Sequence, residues 1–99
     1  MLIPRSFRIK RHTYAVRGGK ARAFVRGKTQ HDEHRVWVYT HNKFGKPMTP
    51  EELRETFFHE LTHAVLYEMR HPLWCDEQFV DEFARLFAQA IHTSKFDKD

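Results

Sequence analysis

Ninety-nine residues, 12.0 kDa in all, restrict the chain to one cored domain, because separately cored units arise only in much longer chains. Hydrophobic residues at 40% and charged residues at 30% exclude a wholly disordered chain. The net charge of +4 conceals a division: residues 1–48 carry twelve Lys and Arg against two acids, a net of +10, and residues 49–99 carry five against eleven, a net of −6.

No apolar run approaches the roughly 18–20 residues that span a bilayer, and Met1 to Arg5 lack an apolar signal core, so the sequence reads as that of a cytoplasmic protein with no membrane partner. Its one cysteine, Cys75, excludes an internal disulfide, and the eight histidines make a metal the first alternative source of stability. The basic half reads first as a solvated sheet that complements acidic helices. Nucleic acid is the less favoured partner, since no RNA-binding signature or zinc-finger spacing accompanies the charge.

Short strands fill the first half. Phe7 and Ile9, then Tyr14 to Val16, alternate with basic residues; Gly18-Gly19 marks a turn, and Ala23-Phe24-Val25 resumes the pattern before Gly27. His34 to Thr40 is the clearest strand, with Val36 and Val38 on one face and Trp37 and Tyr39 on the other. Asn, Gly and two Pro make His41 to Pro50 a loop.

A helix then starts at Thr49-Pro50-Glu51-Glu52, where Thr49 caps, Pro50 suits the first position and Glu52 completes a capping box. It is expected to run to about Arg70. Leu53, Phe57, Phe58, Leu61, Ala64, Val65 and Met69 form a broad apolar arc suited to a buried helix, and Thr56, His59, Glu60, His63 and Tyr67 share the remaining narrow face. A polar stripe on a buried helix requires partners opposite it. A second helix is predicted from about Asp76 to His92, with Phe79, Val80, Phe83, Leu86, Phe87, Ala90 and Ile91 on its apolar face. Glu77, Asp81, Ala84 and Ala88 align along one edge, where the alanines would admit a neighbouring helix closely. The polar tail from Thr93 to Asp99 is expected to fray.

His59-Glu60-Leu61-Thr62-His63 is an HExxH motif. Histidines four apart project from one helix face with Cβ atoms about 5–6 Å apart, so both imidazoles can reach one tetrahedral zinc. Glu60 lies beside them, able to touch water at the metal without ligating it. A third protein ligand is needed if one position is to stay open. Glu77 and Asp81 resemble in spacing the Glu that zincins take as a ligand from a later helix and the Asp one turn on that accepts a hydrogen bond from a ligating histidine; Asp81 and Asp76 are the alternative ligands.

Phe57 to Tyr67, followed by Asp76-Glu77-Gln78-Phe79-Val80, resembles the small metallopeptidases of phages and bacteria on the gluzincin side of the zincin group, and Ile3 to Phe7 is weakly similar to their opening. The resemblance implies that His59, His63 and Glu77 hold zinc, that Glu60 is the general base and that the substrate is a peptide or protein. Other residues read more simply. His31 and His34 belong to a polar turn without a partner ligand in view, Tyr39, His41, Tyr67 and His71 are packing or surface groups that could at most steady an oxyanion, and Cys75 is an idle or buried thiol. The expectation is a minimal α+β domain, a small twisted basic sheet on two helices that hold one zinc, with an edge strand such as Arg35 to Thr40 receiving the substrate.

Overall fold

In the computed structural model, which describes residues 3–97, the chain runs through β1 (Ser6–Ile9), β2 (His12–Arg17), β3 (Gly27–Gln30), β4 (Arg35–Val38), α1 (Pro50–Glu68) and α2 (Glu77–Thr93). The fold is α+β, as the sequence implies. It is assembled from three local hairpins. Ile9 pairs with His12 across the turn Lys10-Arg11, whose first residue has φ +56°, the sense of turn that follows the twist of antiparallel strands. Gln30 pairs with Arg35 across a four-residue turn that ends on His34 at φ +51°. The helices form the third unit: α1 ends at Met69, and Arg70 reverses the chain at φ +55°, in the left-handed position that often follows a helix.

The two strand hairpins join through parallel pairing of β2 with β4, which gives the order β1-β2-β4-β3. β4 is therefore an inner strand, and the edge expected at Arg35 to Thr40 lies instead at β3. Ala23 to Val25 form no strand, and Phe24 stands 80% exposed. The polar segment Gly27–Gln30 takes the place beside β4 because it fits against α1. A Cβ on Gly27 would lie 2.5 Å from the Trp37 carbonyl oxygen and 2.7 Å from Thr56 Cγ2, so only glycine allows this approach. Gly27→Ala is expected to cost about 1–3 kcal/mol, the usual penalty of overpacking, measured as a lower urea midpoint; an unchanged midpoint would show that β3 is not pinned there.

The capping box forms as predicted, with Glu52 N donating to Thr49 Oγ1 at 3.1 Å and Thr49 N to Glu52 Oε1 at 2.9 Å. α1 lies between the sheet and α2, and Tyr14, Val36, Val38, Phe57, Phe58 and Ala64 form the core. At its C-terminus Glu68 sits where the helix dipole disfavours a carboxylate. Tyr14 Oη donates to it at 2.6 Å and, with His12, holds its carboxyl below the ordinary range against the opposing effect of burial.

Two expected faces differ. Val65 and Met69 of the α1 arc are exposed, whereas Thr56, Glu60, Thr62 and His63 are buried, because the polar stripe faces β3 and the start of α2. On α2 the small residues make the contact: Val80, Ala84 and Ala88 are buried, and the close approach of the helices leaves Phe79, Phe83, Leu86, Phe87 and Ile91 at the flank, 36–56% exposed. The phenylalanines stack on one another at centroid distances of 5.8 Å, and Phe87 alone among them meets Phe58, at 5.6 Å. The tail leaves the helix after Thr93 and is exposed through Asp97; Lys98 and Asp99, like Met1 and Leu2, lie outside the described residues. No helix among the described residues is long and apolar enough to cross a membrane.

Candidate metal centre

The helical repeat places His59 and His63 one turn apart, with ring centroids 4.9 Å apart. Both Nε2 atoms point to the start of α2, where Glu77 Oε2 lies 3.1 Å from His59 and Oε1 lies 3.0 Å from His63. The backbone reason is local. Asp76 caps α2 by accepting from Phe79 N at 3.0 Å, which fixes Glu77 in the first turn and uses Asp76 as a cap, leaving it outside the cluster.

The hydrogen bond on the far side of His63 makes this arrangement informative. His63 Nδ1 lies 2.7 Å from the Trp74 carbonyl oxygen, which can only accept, so Nδ1 carries a proton. Nε2 on the other side of the ring faces the Glu77 carboxylate at 3.0 Å, a contact that either a proton on Nε2 or a metal ion between the two would satisfy. Tetrahedral zinc, with ligand distances of about 2.0–2.2 Å, holds its donor atoms about 3.3–3.6 Å apart, somewhat wider than the 3.0 and 3.1 Å between Glu77 and the two rings. Two imidazoles and one carboxylate suit that ion. His59, His63 and Glu77 could therefore hold a metal, and Asp81 Oδ1 stands 3.8 Å from His59 Nδ1, on the side where an orienting acceptor belongs but beyond hydrogen-bond range.

Glu60 is buried beside the cluster and is not part of it. Thr29 Oγ1 donates to Glu60 Oε1 at 2.7 Å, which leaves Oε2 free. Burial pushes the Glu60 carboxyl above its ordinary range, opposed by the Thr29 hydrogen bond and the neighbouring histidines. Gly27, Thr56, His59, Glu60 and Asp81 line one cleft, of about 380 Å³, on this side of the cluster.

Three contributors had no readable sequence signal or only a weak one. Trp74 acts through its backbone, which no side-chain pattern reports. Thr29 and Gly27 sit in a strand without apolar alternation, although a glycine in a strand is a recognised sign of close backbone approach. The minor candidates fall elsewhere: Tyr39 stacks on Trp37, His41 Nδ1 meets Thr40 Oγ1 at 3.0 Å, His71 Nδ1 accepts from Leu73 N at 3.1 Å and Tyr67 packs between His31 and Trp74. Cys75 is exposed, not buried, and free. Comparison with protein-family models, with curated proteins and with solved structures finds no match to this chain.

Proposed function

We propose that the protein is a zinc-dependent peptidase in which His59, His63 and Glu77 hold the ion and Glu60 is the general base. The observation that carries this reading is the convergence of His59 Nε2, His63 Nε2 and the Glu77 carboxylate within ligand reach of one ion, with Glu60 buried beside them. Zinc, once bound, supplies a Lewis acid that polarises a carbonyl and acidifies water. The chain's own groups do the rest. Glu60, steadied through Oε1 by Thr29, takes the proton of the attacking water on Oε2 and delivers it to the leaving amine. β3, the edge strand beside the same cleft, offers its outer side to an extended peptide, which would add to the sheet by backbone hydrogen bonds. The exposed thiol of Cys75 suits a reducing compartment, and the proposal places the protein in the cytoplasm.

The test is hydrolysis of a fluorogenic peptide library by zinc-loaded protein. Cleavage is expected, lost on treatment with a strong chelator and restored by one equivalent of zinc. No cleavage of any library member by fully loaded protein would refute the proposal.

A further inference from the structure

We propose that the chain has a second transition-metal site, formed by His12, His34 and Glu68, where its three hairpins meet. His12 belongs to the first strand hairpin, His34 closes the turn of the second and Glu68 ends α1. One nitrogen from each histidine and one carboxylate oxygen lie within 4.8 Å of one another. His12 Nδ1 is 2.9 Å from both oxygens of Glu68, and the His12 and His34 rings stack at 4.2 Å. Bringing the three atoms to about 2.0–2.2 Å from a single ion requires the stacked rings to turn about their side-chain bonds.

The surroundings resemble those of a built site. Glu68 is only 10% exposed, and Tyr14, fully buried, donates to its Oε2 at 2.6 Å, the outer hydrogen bond that orients a ligating carboxylate. His34 holds a left-handed backbone, uncommon for a residue with a side chain, and that conformation carries its ring to His12. The turn His31 to His34, which appears in the sequence to lack partner ligands, thus gains two for His34, while His31 packs apart from them against Tyr67 and Trp74. A cleft of about 790 Å³ gives an ion access from solvent and leaves room for water as further ligand.

The donor set selects the ion. Two imidazoles with a single carboxylate suit zinc, nickel or copper, whereas calcium and magnesium prefer oxygen ligands. Lys10 and Arg70 line the same cleft and oppose any dication, with Asp32 partly offsetting them, so the two imidazoles and not the local charge set the preference. Bound there, a metal would join all three hairpins of a chain that has no disulfide.

Zinc stoichiometry tests this directly, by titration of metal-free protein with zinc chloride and elemental analysis after gel filtration. Wild type is expected to take two zinc ions per chain. His34→Asn, which keeps a residue tolerant of the left-handed backbone, and His12→Gln should each take one, as should Glu77→Gln, and Glu77→Gln combined with His34→Asn should take none. Zinc should also raise the melting temperature of Glu77→Gln and leave that of the combined variant unchanged. A single zinc that both His12→Gln and His34→Asn retain would overturn the second site. If that single zinc survives Glu77→Gln and is lost with His34→Asn, the second site stands and the centre at His59 and His63 fails.

Discussion

Glu60→Gln keeps its zinc and its fold and loses about 10²- to 10⁴-fold in the rate of peptide hydrolysis, the usual contribution of a positioned general base. Glutamine is nearly isosteric, and its amide can still accept the hydrogen bond that Thr29 donates at 2.7 Å. It cannot take a proton at pH 7, so proton transfer is lost while packing is kept. Metal content by elemental analysis and the thermal midpoint are the controls for retained structure. Thr29→Val should give a smaller loss, because it frees Glu60 to rotate without removing the base. Equal rates for wild type and Glu60→Gln would refute the mechanism.

Zinc affinity should fall more than 10²-fold in Glu77→Gln and by about 10- to 100-fold in Asp81→Asn, measured by competition with a fluorescent chelator. Glu77 is the cleaner ligand to remove because its side chain is 70% exposed and, among the described residues, its polar partners are the two histidines. The fold therefore survives its loss. His63→Ala should lose the metal as completely but also breaks the 2.7 Å bond to the Trp74 carbonyl, so its stability change mixes two causes. Asp81 stands 3.8 Å from His59 Nδ1, beyond hydrogen-bond range, and would have to move closer to orient that ring, which sets its expected effect in the lower range. The reverse ranking would make Asp81 the ligand and displace α2 by one turn relative to α1.

The parts of the molecule legible in its sequence are those governed by short-range rules. Thr49 and Glu52 announce a helix start through hydrogen bonds that span three residues, and His59 and His63 face one way because of the helical repeat. The start of the next helix brings Glu77 against both rings, a placement that its position one short connection after α1 allows. The failures are all tertiary. β3 has no apolar alternation and is held by what it touches, Thr56 and Glu60 on one side and β4 on the other. The phenylalanines of α2 have the periodicity of a core face, yet Ala84 and Ala88 win the contact with α1 because small side chains allow the closer approach. His12, His34 and Glu68 come together across 56 positions of sequence from three separate turns or ends, and no spacing rule reaches that far.

Because α1 is the layer between the sheet and α2, a ribosome releases the strands before their cover exists. Tyr14 and Val36, fully buried in the finished protein, would then line an open sheet face until Phe57 and Phe58 emerge. Nascent sheets with bare edges tend to pair with one another. The net charge of +10 on residues 1–48 opposes this, since two such chains repel whenever their strands approach, and the acidic second half then neutralises much of that charge as it arrives. The division of charge along the chain thus sets like-charge repulsion between sheets for the interval in which the sheet would have no helix to lie against.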